Sequence, residues 1–146
     1  MKKIRIHSDQ EYKIPKKSRC ISIINNILKS KKINLFNISI IFTSDIFVSD
    51  LKREFFSKNQ WTDIIAFPMH DKNDDSIEGD IYISMPTAKE NAEKYNQPYE
   101  KEVARLIIHG CLHLLGYNDN TKKQKYDMSN LEESFLNKIK WEDLFE

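Results

Sequence analysis

A chain of 146 residues, 40% of them hydrophobic and including two Trp, eight Phe and six Tyr, suits one domain, residues 1–146, with a sizeable core. Its net charge of +1 singles out no partner. No window approaches the roughly 18 apolar residues of a membrane span, "MKKIRIHSDQ" lacks the apolar run of a signal peptide, and two cysteines build no disulfide framework; a soluble, cytoplasmic protein with no membrane partner is expected.

"KKIRIHS" alternates, with Ile4 and Ile6 on one side, and predicts a short strand. Pro15 opens a helix with Cys20, Ile23, Ile24, Ile27 and Leu28 at helical spacing. "NISIIFTS" (37–44) is β-branched and reads as a buried strand, and Ser49 is expected to cap a short helix through Leu51 and Phe55. "DIIAFPM" and "GDIYISM" predict two further strands around a polar loop, "HDKNDDSIE". Pro86 begins a helix carrying Ala88, Ala92 and Tyr95; another runs from about Tyr99 to Leu115 and stops at Gly116. A last amphipathic helix aligns Met128, Leu131, Phe135 and Ile139. Strands lie mostly early and helices late. The pattern is that of an α+β protein with a small mixed four-stranded sheet and about five or six helices.

In "HGCLHLLGYNDN" (109–120), His109 and His113 stand four apart. On a helix both rings then face one point, the arrangement that zinc hydrolases use for two of three protein ligands. The apolar flanks mark this helix as central and buried, where an imidazole needs a partner. Gly110 costs about 1 kcal/mol relative to Ala inside a helix, which asks for either close packing against a strand or open space beside a metal. It also excludes HExxH peptidase chemistry, which needs Glu after the first His. Among possible third ligands, His7 and His70 lie far along the chain, Cys111 points about 200° away from His109, and Asn118 is a weak donor. Asp119 carries the only carboxylate in the turn after Gly116.

This stretch resembles the HGxLHLxGYDH signature of the YbeY family, bacterial metal-dependent endoribonucleases of ribosomal RNA maturation. "WTDIIAFP" is similar to the family's PT(D/N)VLSFP segment and "GDIYIS" to its GDI-x-IS strand, in the same order, and a downstream helix with Met128 and Glu132 fits too. The resemblance spans most of residues 35–140. It implies one zinc ion per chain, held by His109, His113 and Asp119, the last standing where the family has histidine. A carboxylate there lowers the site's charge from +2 to +1 and favours harder metals such as Mn²⁺. A water in the open position, its pKa lowered from 15.7 toward about 7–9, would be the nucleophile, with Asp80 the nearest family-matched carboxylate for a catalytic role. Phe55 and Phe56 occupy positions where the family commonly has Tyr-Arg, so phosphate contacts fall to Lys52, Arg53 and Lys58 nearby. Residues 1–60 hold 13 Lys and Arg against 5 Asp and Glu, and residues 61–146 hold 10 against 17; the basic half suits an RNA backbone.

The resemblance thus implies cleavage of RNA phosphodiesters, with precursor 16S rRNA near its 3′ end as substrate, ribosome or small-subunit components as partners, and a role in ribosome quality control. Two other readings keep part of this. One is a ribosome- or RNA-binding assembly factor with a structural metal; the other is a metallohydrolase of a different phosphoester.

Overall fold

The computed structural model describes residues 2–8, 12–56, 64–71 and 75–146, except the side chains of residues 55 and 56. Lys58 and residues 61–63 of "WTDIIAFP" therefore lie outside the described residues. The elements are β1 (Lys2–Ser8), α1 (Lys17–Ser30), β2 (Leu35–Thr43), α2 (Asp45–Phe56), β3 (Ile64–Pro68), β4 (Ser76–Ser84), α3 (Met85–Lys94), α4 (Tyr99–Leu114), α5 (Lys122–Leu136) and a 3₁₀ turn, Trp141–Asp143. The sheet order is β1-β2-β4-β3. β1–β2 and β2–β4 pair in parallel, β3–β4 antiparallel. This is the expected α+β architecture with a mixed sheet.

Period-two alternation decides which sheet face is the core. Phe36, Ile38, Ile40 and Phe42 of β2 and Ile77, Ile81 and Ile83 of β4 are buried. Their neighbours Asn37, Ser39, Glu78, Asp80 and Tyr82 point the other way. Onto the core face pack α1, with Cys20, Ile23, Ile24, Ile27 and Leu28, and α4, whose Val103, Ala104, Leu106, Ile107, Ile108, Cys111, Leu112 and Leu114 are all buried. A helix apolar on nearly every side belongs at the centre of a domain, and each fully buried Ile or Leu contributes about 1.5–3 kcal/mol. Gly110 is the seam of that packing. A Cβ there would lie 2.6 Å from Ile81 Cγ2 and 2.9 Å from Ile64 Cδ1, so of the two reasons for this glycine the structure supplies close packing on the sheet.

Three boundaries differ from expectation by more than the one or two residues over which element ends ordinarily vary. α2 begins four residues before Ser49, because Ser44 is the cap: its Oγ accepts from Phe47 N at 3.1 Å. Ser49 instead sits mid-helix, its buried Oγ without a partner among the described residues. β4 begins inside the polar segment at Ser76, since Ser76, Ile77 and Glu78 continue the alternation and pair with Leu35, Phe36 and Asn37. His70 Nδ1 ties this end of the hairpin to Glu78, lying 2.9 Å from its backbone O and 3.1 Å from its N. α5 ends at Leu136 rather than reaching Ile139, as Lys138 and Ile139 donate back three residues, to Phe135 and Leu136, the tightening of a last turn.

Both thiols are free and buried. Burial pushes Cys20 up to about 12, and burial followed by the charge of Cys20 pushes Cys111 up to about 12. These folded-state values lie above the ordinary 9.0, so the unfolded chain releases thiol protons first. Stability is intact below pH 9 and falls as pH rises from 9 toward 12. A thiol reagent at pH 8 is expected to label the protein only on unfolding, and Cys20→Ala to flatten the alkaline loss of urea stability. Rapid labelling of the native chain would refute the burial argument.

Candidate metal centre

His109 and His113 lie one turn apart on α4, with side chains 19% and 26% exposed. The helix stops where the sequence says it should. Gly116 takes φ +97°, Gly116 N donates to His113 O and Tyr117 N to Leu112 O, both at 3.0 Å. This paired closure satisfies carbonyls of the last turn and reverses the chain. Four residues on, Thr121 caps α5 in a reciprocal box with Gln124, whose Oε1 accepts from Asn120 N and Thr121 N. Asp119 is thus pinned between a defined helix end and a defined helix start.

Its Oδ2 stands 3.4 Å from His109 Nε2 and 3.5 Å from His113 Nε2, and the two Nε2 atoms are 2.9 Å apart. Ligands at 2.0–2.2 Å around a tetrahedral ion are separated by about 3.3–3.6 Å. Two of the three separations match and the third is slightly short, so the donor set fits a small divalent cation. The side chains His109, His113 and Asp119 also form the one described group of three His, Cys, Asp or Glu with ligand atoms all within 4.8 Å.

Glu132, buried on α5, accepts from His109 Nδ1 at 2.5 Å. With the proton on Nδ1, the lone pair of His109 is on Nε2, facing the cluster, which is how carboxylate–histidine pairs orient metal ligands. His113 has its pKa lowered by burial and then by the neighbouring His109, against the opposing pull of Asp119 and a backbone hydrogen bond at Tyr117. The neutral, ligating form is therefore favoured. The two Nε2 atoms and Asp119 Oδ2 thus converge on one point, where a cation would satisfy all three.

Beside the cluster a cavity of about 360 Å³ opens between α4 and α5, lined by Arg105, His109, Asp119, Lys125, Ser129 and Glu132 among others. Arg105 meets Glu133 at 2.9 Å, Glu132 at 3.4 Å and Glu102 at 3.5 Å. Burial opposes its charge, but the hydrogen bond to Glu133 and the carboxylates of Glu132, Glu133 and Glu102 outweigh that and raise its pKa. Sequence reasoning gave Arg105 and Lys125 no role, and Glu132 only a place on a fitting helix. The signals were present: an arginine four residues before His109, and an acid on the buried stripe of α5.

Among the described residues, the other expected site residues are not brought here. Asp80 points from the sheet face opposite α4, where burial, then Glu78, raises its pKa, against the charge of His7. Gly79 and Ile81, its neighbours, take the α4 face. Lys52 and Arg53 lie on α2, and Arg53 pairs with Asp50 at 2.6 Å. Neither is among the described residues lining the cavity.

An α+β fold whose buried central helix presents two imidazoles and a following carboxylate defines a protein with a candidate divalent-metal centre of hydrolase type. Family comparison makes this specific: the model of the family described as endoribonuclease YbeY matches residues 5–140, and the chain belongs to that family. It is 34% identical over 128 residues to an endoribonuclease YbeY of Cytophaga hutchinsonii, covering 88% of this chain and 89% of that one. Identity is 36% over 121 residues to the Persephonella marina protein of the same description, covering 80% and 79%. The solution structure of TM1509 from Thermotoga maritima aligns with a TM-score of 0.60 at 25% identity, over 92% of this chain and 87% of that one. Membership supports an RNA-cleaving role. No helix of the described residues is long and apolar enough to cross a membrane.

Proposed function

We propose that the chain is a zinc-dependent endoribonuclease that cuts single-stranded RNA at the α4–α5 cavity. Its substrate is precursor 16S rRNA near the 3′ end, and it acts in the cytoplasm with small-subunit components in ribosome maturation and quality control. The convergence of His109 Nε2, His113 Nε2 and Asp119 Oδ2 carries this reading, supported by family membership. A divalent ion held there would polarise a phosphoryl oxygen and ease deprotonation of a water. The chain's own residues do the rest. Glu132 keeps the His109 tautomer, Asp119 trims the site's charge, and the cavity walls give a scissile phosphate a place beside the ligands. Lys125 lines that cavity as a cation for the backbone, and Lys52, Arg53 and Lys58 add basic charge elsewhere in the sequence. Contact through phosphates makes binding salt-sensitive and largely independent of sequence.

The test pairs metal analysis with cleavage of a 16S 3′-end fragment by the wild type, His113→Ala and Asp119→Ala. One metal per chain and cleavage, both reduced in each variant, is the expected result. Metal bound by the wild type without cleavage would instead point to an assembly factor, the reading favoured by Phe56 at the family's arginine position. Loss of neither in both variants would sink the site.

A further inference from the structure

We propose that Arg105 is a positioning residue for the metal centre, acting through Glu132 on the tautomer and aim of His109; this rests on the metal reading above. Arg105 and His109 are four residues apart on α4 and share the face turned to α5. The two oxygens of Glu132 are divided between them: Oε1 lies 3.4 Å from Arg105 Nη1, and Oε2 accepts from His109 Nδ1 at 2.5 Å. A carboxylate held at both oxygens cannot rotate away from the imidazole. The Glu132 side chain is only 7% exposed, so its charge needs a buried counter-ion, which Arg105, 24% exposed, supplies.

The fork is itself anchored. Glu133 takes Nη2 at 2.9 Å and Glu102 faces Nε at 3.5 Å, so three nitrogens of one planar group serve three carboxylates from two helices. Lysine carries the charge but cannot reproduce that geometry. The same contacts argue against Arg105 as a phosphate hook, since three carboxylates already neutralise its charge. Its part is to link α4 to α5 so that His109 Nε2 points at the metal.

The experiment measures zinc affinity by competition with a chromophoric chelator for the wild type, Arg105→Met, Arg105→Lys, Glu132→Gln and the double variant Arg105→Met/Glu132→Gln. In parallel, two-bond ¹H–¹⁵N imidazole spectra of the metal-free proteins report which nitrogen of His109 carries the proton. Residues behind a metal ligand typically tune affinity by 10–100-fold. Arg105→Met is expected to weaken zinc by about tenfold and to reduce the Nδ1–H population, with Arg105→Lys between it and the wild type. Because Arg105 acts through Glu132, the double variant should bind zinc no more weakly than Glu132→Gln alone. Unchanged affinity and tautomer, or additive losses in the double variant, would overturn the proposal. Should Arg105→Met fail to fold, Arg105→Lys and the rim change Glu133→Gln give the same readouts. A wild type that binds no zinc would defeat the metal reading, while the metal-free spectra would still decide whether Arg105 positions His109.

Discussion

His109→Ala is expected to abolish stoichiometric zinc binding and to lower cleavage of single-stranded RNA by at least about a thousandfold, the rate equivalent of the several kcal/mol that a catalytic metal supplies. His109 is the hinge of the site: Nε2 faces both other donors, and Nδ1 is held by Glu132. Removing it leaves one imidazole and a half-exposed carboxylate, too few donors to hold zinc. It also strips Glu132 Oε2 of its donor in a position 7% exposed, a cost of about 1–3 kcal/mol in stability. The two effects separate in a double variant. His109→Ala/Glu132→Leu should recover much of the thermal stability and none of the zinc. Asp119→Ala leaves both imidazoles and the Glu132 contact intact, so it should weaken metal binding less and cost little stability. Zinc content near one per chain in His109→Ala, measured after exhaustive dialysis, would remove these side chains from the metal site.

The parts of this site that were legible are those fixed by neighbours in sequence. Helical spacing put His109 and His113 on one face, and Gly116 closed the helix so that Asp119 could return to them. Glu132 and Arg105 depend on how α5 docks on α4, a contact between residues 23 to 28 apart in the chain. No local periodicity expresses that, though a carboxylate beside Met128 and Phe135 on a buried stripe hints at an unseen partner. Asp80 shows the reverse case. The alternation of "GDIYIS" already sets Asp80 opposite Gly79 and Ile81, and only family position drew it toward the metal. The helix α2 started early because two serines five apart are equal candidates for a cap. The choice of Ser44 is made by where β2 ends at Thr43, a tertiary fact.

Gly79→Ala should be the most damaging single methyl in the fold, lowering stability by about 3 kcal/mol and the thermal midpoint by roughly 10 °C. A Cβ at Gly79 would stand 2.5 Å from Phe67 O and 2.6 Å from Leu114 Cδ2. The first is backbone of β3, locked to β4 by the register Phe67↔Asp80 and Pro68↔Gly79, and it cannot yield without opening the hairpin. The second belongs to the residue after His113, 1% exposed and wedged between helix and sheet. Relief on that side displaces the end of α4, carrying His113 and the Gly116 turn with it. The variant is therefore expected to lose zinc affinity along with stability, although residue 79 touches no ligand. Gly110→Ala meets side-chain carbons of Ile81 and Ile64 rather than backbone, and regains about 1 kcal/mol of helix propensity, so its net loss should be smaller. Thermal unfolding and chelator competition on the two variants compare them directly. If Gly110→Ala proved the more destabilising, or Gly79→Ala kept wild-type zinc affinity, the close approach of β4 to α4 would not be what aims the histidines.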